Sequence, residues 1–333
     1  MPASVAGAEG RARTGAMGPY AVLRELDDEA SGIPVPERRF IGRSADGDRT
    51  VLIGTPLPGA DPARFLAEAE TSRYLLGPWS SPAAEVAAPG DAPWHARPYV
   101  PALPLPAALT VHGGPLPERT VRALGTALVE TLLIGHGQGL AHAGVSPAAV
   151  LLAADGPRLM CFGAVRAAAE DGTPRSGLPG LESGSLPPEQ AAGGQPHPAG
   201  DVYALGATLA YAATGYTVPE RDELPAALRA VVTACLSRDP AARPRPAELL
   251  DALSPATAPP APEAGAAAGP PRPATMPDAA GNPAGRAAAL LGPGRAAALL
   301  GPGWLPGRII AALARQSAEL LAATLPVPPA PQD

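Results

Sequence analysis

Proline and glycine decide where this chain can be regular. It holds 46 Pro and 38 Gly among 333 residues, about a quarter of the total and close to the low-complexity range. A proline inside a helix removes a hydrogen bond and collides with the preceding turn, so it is tolerated only at the start. The segments with helical spacing obey that rule. Residues 61–76 carry Pro62 near their start, followed by Phe65, Leu66, Ala69, Tyr74 and Leu75. Pro117 opens a run in which Val121, Leu124, Leu128, Leu132 and Leu133 recur at helical intervals, and Gly139 stops it. Residues 201–215 put Val202, Leu205, Leu209 and Ala212 on one side, and 225–236 and 246–253 predict two more helices.

Strands come before these helices. Residues 20–26 read as a strand. Residues 38–43 and 49–53 flank the turn Ser44-Ala-Asp-Gly-Asp48, whose Asp-Gly is a hairpin signal. A Pro-rich stretch, 77–106, contains a further strand and crossover at 94–100. Strands first and helices after predict an α+β fold in two parts. Residues 1–16 read as a disordered lead and 254–302 as a Pro/Ala/Gly-rich linker. That linker contains Gly285-Arg-Ala-Ala-Ala-Leu-Leu-Gly-Pro293 and the same nine residues again from Gly294 to Pro302. Two copies are too few for a solenoid and read as a duplication within the linker. Residues 303–325 differ. Ile309, Ile310, Leu313, Leu320 and Leu321 share one face, while Arg308, Arg315, Gln316 and Glu319 take the rest. This amphipathic helix is expected to dock on the main domain, with a partner helix or a membrane surface as alternatives; 326–333 is a tail.

All 25 basic residues are Arg against 31 acidic ones, a net charge of −6. Chemistry that needs a lysine amine is therefore excluded. The absence of Lys and the excess of Ala, Pro and Gly also fit a GC-rich coding bias. The mild acidity argues against a nucleic-acid partner. Two cysteines, Cys161 and Cys235, make neither a disulfide framework nor a zinc site and fit a reducing cytoplasm. The first residues lack the apolar run of a signal peptide, and no apolar stretch of about 20 residues escapes Arg, Gly or Pro, so no transmembrane helix is expected.

Five segments in order carry a resemblance. They are Gly139-Leu-Ala-His-Ala-Gly-Val-Ser-Pro-Ala-Ala-Val-Leu-Leu152, Leu159-Met-Cys-Phe-Gly163, Leu186-Pro-Pro-Glu-Gln190, Asp201-Val-Tyr-Ala-Leu-Gly206 and Asp239-Pro-Ala-Ala-Arg-Pro244. Together they resemble the successive signatures of bacterial serine/threonine protein kinases of the Hanks type, from about residue 17 to 253. The resemblance implies a two-lobed fold. A small, mostly β N-lobe would span about 17–97 and a larger helical C-lobe about 101–253.

It also implies a set of charges, because a kinase moves a phosphoryl group mainly by positioning it and neutralising its charge. The stretch matching the Gly-rich loop, 26–36, keeps one Gly and adds Asp27, Asp28 and Glu29, which repel phosphates. Val51-Leu-Ile-Gly54 matches V-A-I-K, so Gly54 stands where the Lys is expected, and Leu52 replaces a small Ala against adenine. Glu68 matches the helix Glu that would pair with that Lys; without it, a solvated carboxylate is expected. In the catalytic loop the Asp position is Gly144, the Lys position Ser146, the metal-binding Asn position Ala149 and the Arg position Ala143. The metal-binding Asp of D-F-G is Cys161, a poor ligand for Mg²⁺, and read on its own as a small buried hydrophobe rather than a reactive thiol. Asp155, Glu170 and Asp171, the carboxylates nearby, fall outside the motif spacing. Arg97 falls near the mouth of the adenine pocket. If a nucleotide bound, Leu26, Leu52, Val100 and Leu151 would line it.

The residues that hold the family's fold are kept. Asp201 matches the buried Asp that accepts hydrogen bonds from the catalytic-loop backbone. Glu189 and Arg243 match a buried ion pair, and His142, Phe162 and Gly163 match the internal stack. In the activation segment Glu182 replaces a Thr that faces substrate, while Ser176, Ser183 and Ser185 are candidate phosphorylation sites. The expectation is a pseudokinase: no cofactor, no metal, and a protein partner such as an active kinase or its substrate. Two alternatives remain open at this point, a divergent active kinase using ATP and Mg²⁺ and a nucleotide sensor that needs no metal. A decaying gene product without a role is the bland explanation of the same losses.

Overall fold

The computed structural model describes residues 15–27, 33–75, 77–161, 163, 180, 182–254 and 294–323. The expectations for Asp28, Glu29, Phe162, Glu170, Asp171 and Ser176, and for the first nonapeptide, lie outside those residues. The N-lobe is an antiparallel six-stranded sheet. Its strands are β1 (Ala16–Met17), β2 (Tyr20–Glu25), β3 (Arg38–Ser44), β4 (Thr50–Thr55), β5 (Glu85–Val86) and β6 (His95–Pro98), in the order β1-β2-β3-β4-β6-β5. Period-two alternation gives the sheet two apolar faces. Phe40, Val51 and Ile53 join Tyr20 and Trp94 on one face, while Ile41 and Leu52 join the main core on the other. Helix α1 (Pro62–Ser72) is capped by Asp61, whose carboxylate accepts from the Ala63 and Arg64 N–H groups.

A short sheet opens the C-lobe: β7 (Ala102–Pro104), β8 (Val150–Ala153) and β9 (Gly156–Leu159). β8 is buried throughout and β9 at all but Arg158, so their sequence shows no alternation to read. Helix α2 (Leu105–His112) precedes α3 (Glu118–Gly137), the axis of the lobe. Val121, Leu124 and Leu128 of α3 are fully buried. Around it stand α4 (Pro188–Ala191), α5 (Pro198–Thr214), α6 (Ala226–Cys235) and α7 (Pro246–Leu253). Gly125 permits the closest approach. A side-chain carbon there would lie 2.9 Å from Leu253 Cδ1 and 3.1 Å from Leu209 Cδ1. The molecule is thus a two-lobed α+β fold. None of its described helices is long and apolar enough to cross a membrane.

The chain then returns. Helices α8 (Arg295–Leu299) and α9 (Gly307–Ala322) run across the C-lobe to the N-lobe sheet. Residues 294–302, read from sequence as part of a linker, instead contribute buried Ala296 and Leu300 to the main core. Trp304 anchors the segment: its Nε1 donates to the Ala154 carbonyl at 2.9 Å, and its own carbonyl accepts from Thr120 Oγ1 at 2.7 Å. Helix α9 buries Ile309, Leu313 and Leu320 and leaves Ile310 and Leu321 exposed, so its apolar face is narrower than the sequence indicated. It packs against α2 and reaches the sheet, where Glu319 pairs with Arg24 at 3.2 Å. Arg43 donates to the carbonyls of Leu320 and Ala323, a cation at a helix C-terminus. Replacing Trp304 with Ala is expected to cost about 3–5 kcal/mol in urea denaturation. A loss below about 1 kcal/mol would mean that this segment is not part of the cooperative unit.

Candidate functional site

Antiparallel register lines up three residues on one face of the N-lobe sheet. Arg39 faces Gly54 and Gly54 faces His95. Directly opposed residues point the same way, so Gly54 is a gap between two long polar side chains. The gap is used. A side-chain carbon at Gly54 would run into the His95 imidazole and stand 2.9 Å from the Glu37 carboxyl carbon. The space that a side chain at this position needs is occupied by its neighbours.

Those neighbours form a buried polar cluster. Arg39 is fully buried. Its Nε donates to Asp27 Oδ2 at 2.8 Å, and its Nη2 makes a second, shorter bond to the same carboxylate. Its Nη1 donates to the carbonyl of Ala148 at 2.7 Å, in the 3₁₀ turn Pro147–Ala149 of the C-lobe. A strand of one lobe is thus tied to a loop of the other by one guanidinium. Beside it, Glu37 Oε2 accepts from His95 Nε2 at 2.7 Å, and Oε1 accepts from Cys161 Sγ at 3.7 Å. Arg97 donates to His95 Nδ1 at 3.2 Å and to the Ser81 carbonyl. With Nδ1 accepting, the ring presents its Nε2 proton to Glu37. The Phe65 ring stacks on His95 at 5.1 Å. Burial alone would raise the Glu37 carboxyl, but His95 and the guanidiniums of Arg97 and Arg39 hold it well below the usual carboxylate range. Burial lowers the Arg97 guanidinium even though Glu37 favours its charge.

Glu68 of α1 lines a cavity with Glu37, His95, Arg97 and Cys161. It is 5% exposed, so the solvated carboxylate expected from sequence is corrected: α1 packs inward at this turn. Asp27 is also corrected. It does not stand free to repel a ligand; it is the partner of Arg39. Arg97 is buried in the same cluster rather than at a pocket mouth.

The remaining motif positions converge beneath this cluster. Asp201, fully buried, accepts from the backbone N–H groups of His142 and Ala143, each at 2.7 Å, and from His136 Nε2 at 2.8 Å. Ala143 and Cys161 both adopt left-handed backbone, with φ of 51° and 59°, a conformation that costs a residue with a side chain about 1–2 kcal/mol. The Gly163 N–H donates to the His142 carbonyl at 2.9 Å. This draws the two loops so close that a side-chain carbon on Gly144 would overlap the carbonyl oxygen of Cys161. Ser146 Oγ accepts from the Ala149 N–H at 3.3 Å, and Ala149 is fully buried. The structure therefore brings Gly144, Ser146, Ala149 and Cys161 together below Gly54. None of these five side chains carries a carboxylate or an amine. Asp155 is engaged by Arg158 at 2.6 Å in the β8–β9 turn. No cluster of three His, Cys, Asp or Glu among the described residues is arranged to hold a metal.

Leu26, Leu52 and Leu151 are buried in one apolar cluster with Ile41. Val100 departs from its expectation: it is 39% exposed and does not belong to that wall, because β6 ends at Pro98 and the chain turns outward. Burial pushes the Cys235 thiol up to about 12; Cys161 is also buried.

In the C-lobe, Arg243 and Glu189 form a two-pronged ion pair at 2.6 and 2.8 Å. Arg243 also donates to the carbonyls of Ser237 and Ala199 and lies over the Tyr203 ring. Burial works against the Glu189 charge, yet Arg243 holds that carboxyl below its ordinary range. Glu182 accepts from the Gly184 and Ser185 N–H groups and from Thr217 Oγ1, so it caps a turn rather than facing outward. Ser185 is buried, which removes it as an accessible phosphorylation site.

Sequence reasoning missed Glu37, Arg39 and His95. The signal was present as charged or polar residues at inward positions of apolar strands. Because the Glu37 carboxyl is depressed in the fold, its contribution to stability is complete above the unfolded carboxylate value of about 4.3. It falls away as the pH drops toward the folded value. Urea midpoints measured from pH 6 to 3 should therefore decline more steeply in the wild type than in Glu37→Gln; parallel declines would remove Glu37 from the acid response.

No family model matches the chain. Curated proteins do. The chain is 35% identical over 262 residues to the probable serine/threonine-protein kinase PkwA of Thermomonospora curvata, covering 72% of this chain and 34% of that protein. It is 30% identical over 261 residues to the serine/threonine-protein kinase AfsK of Streptomyces coelicolor, covering 72% and 32%. A shorter match, 40% over 110 residues, links it to serine/threonine-protein kinase F of a Synechocystis species, covering 32% and 22%. The chain thus spans about a third of the length of the first two relatives. Two lobes, a buried Asp201 under the central loop and this likeness over most of its length place the chain in the bacterial serine/threonine protein kinase family.

Proposed function

We propose that this chain is a non-catalytic kinase homologue that works as a protein-binding or regulatory module. The observation that carries the reading is the Arg39 bridge. The guanidinium paired with Asp27 and bonded to the Ala148 carbonyl lies where a nucleotide would have to pass its phosphates between the lobes. Three further features support it. Leu26, Leu52 and Leu151 are buried and belong, with Ile41, to the main apolar core. Gly54 and Gly144 leave no room for the side chains that the chemistry needs. The carboxylates nearest the cleft, Asp27 and Glu37, are committed to Arg39 and His95. A nucleotide–metal complex does not fit these residues.

The magnitudes support the same side. Removing one well-placed electrostatic stabiliser costs about 10²–10³ in rate. Losing the amine, the base and both metal ligands, even without additivity, leaves no useful turnover. The scaffold, by contrast, retains a buried ion pair whose disruption costs about 3–5 kcal/mol. A fold held this firmly around a closed cleft serves through its surface. The partner is expected to be a protein, either an active kinase or the substrate of one.

Two measurements test this reading. Labelled ATP with Mg²⁺ or Mn²⁺ should give no phosphate transfer above a heat-denatured control, and ATP should not raise the melting temperature, as tight binding must. Transfer lost on denaturation would establish the divergent enzyme instead, and a thermal shift without transfer would establish a nucleotide sensor. Restoring the motif should also fail. Gly144→Asp and Gly54→Lys are each expected to destabilise the fold by about 1–3 kcal/mol or more through overpacking, with no gain of transfer.

A further inference from the structure

Outside the cleft, one buried carboxylate has an uncommon partner. Glu130 of α3 is 4% exposed. Its Oε2 accepts from Trp79 Nε1 at 3.1 Å and its Oε1 from the Ala296 N–H at 2.9 Å. The segment that supplies the second donor fits closely. Gly294 leaves no room for a side chain, since a carbon there would lie 2.8 Å from Glu130 Oε2. Arg295 pairs with Asp251 at 2.5 Å. Ala296 is fully buried, and Leu300 is 8% exposed beside Trp79 and Gly156. Trp79, Glu130, Gly156 and Asp251 thus form a dock that reads Gly-Arg-Ala, then Leu at the seventh position.

Those letters occur twice. Gly294 to Pro302 is docked; Gly285 to Pro293 is identical at every position. Gly285, Arg286, Ala287 and Leu291 stand where Gly294, Arg295, Ala296 and Leu300 stand in the second copy. We propose that the dock on Trp79, Glu130 and Asp251 is a recognition site for this nonapeptide and that the two copies are alternative occupants of it, within one molecule, in registers nine residues apart.

The geometry allows the exchange. Arg295 touches Asp251, close to the end of α7 at Leu253, so residues 255–284 are ample to deliver the first copy to the same place. On the far side Trp304 stays on Ala154 and Thr120. The link from the docked Leu to Trp304 then lengthens from three residues, 301–303, to twelve, 292–303, still within the range of compact surface loops with adjacent ends. Closing that loop is the only added cost, because every dock contact is duplicated. It makes the docked second copy the major register and the first copy the minor one. The returning segment therefore has two lengths.

The test uses the full chain and three variants: Ala287→Asp with Leu291→Asp in the first copy, Ala296→Asp with Leu300→Asp in the second, and all four together. Thermal midpoint and hydrogen exchange of α3 around Glu130 are the readouts. The first-copy variant should match the wild type. The second-copy variant should stay within about 2 °C of it and keep its α3 protection, while the fourfold variant falls by about 4–8 °C or fails to fold. A second-copy variant that drops as far as the fourfold one, or a fourfold variant that melts like the wild type, overturns the proposal. So does rescue of the second-copy variant only at high protein concentration, which would mean that the first copy docks on another molecule. Should the aspartates prevent folding in both variants, Ala296→Gly with Leu300→Ala repeats the comparison with milder changes; a loss equal to that of the corresponding fourfold variant again overturns the exchange.

Discussion

A guanidinium that no water reaches costs several kcal/mol when its charge is left without a partner. Arg39 avoids that cost through Asp27 on its own lobe and the Ala148 carbonyl on the other. Removing one member of such a pair costs about 3–5 kcal/mol because it strands the other charge in a dry site. The relative position of the lobes is therefore part of the arrangement that keeps Arg39 satisfied. The lobes cannot separate without exposing or orphaning it, and the apolar contact of Leu26, Ile41, Leu52 and Leu151 behind it gains nothing from separation either.

On the proposed non-catalytic reading, the two glycines at motif positions also explain how their neighbours come to crowd the site. Gly54 removes a side chain from the middle of a three-strand row and lets His95 and Glu37 move into its place. Gly144 removes a side chain from the central loop and lets the Cys161 carbonyl approach. At each glycine a neighbour occupies the space that a side chain would need. The backbone strain at Ala143 and Cys161 persists because Asp201 holds the loop through two backbone N–H groups. Strained backbone is common at catalytic sites; here it remains as a property of the fold, on residues whose side chains are methyl and thiol.

The α+β order, the long axis of α3 and the hairpin of β3 and β4 were legible because proline positions, helical period and an Asp-Gly turn act locally. The strands β8 and β9 were not, since near-continuous burial erases alternation, and β7 is too short to show one. At the site, each missing motif residue could be named by position, but what filled the resulting space could not. Arg39 and His95 lie far apart in sequence, and only strand register brings them to one row across Gly54, with Glu37 just before β3 reaching His95. Val100 shows the reverse error: the motif spacing is kept, yet the chain turns outward after Pro98. The second nonapeptide was read as linker because its composition matches the residues around it; its burial depends on Glu130 and Trp79, which nothing local announces.

The returning segment completes the same logic on the opposite side of the molecule. Trp304 fixes it to the C-lobe, α9 lies along α2, and Arg24 and Arg43 take hold of Glu319 and of the last carbonyls of α9 from the N-lobe sheet. The two lobes are then joined at the cleft by Arg39, along the chain by α2, and behind by α9. Arg39 is buried and unscreened, whereas the Arg24–Glu319 pair is exposed and worth little by itself; the apolar face of α9 supplies most of the attachment. Gln316, buried on that face with neither side-chain polar atom hydrogen-bonded, sets a limit on it, since an unsatisfied buried amide costs about 1–3 kcal/mol. Of the three connections, the one made by α9 is therefore the weakest per residue.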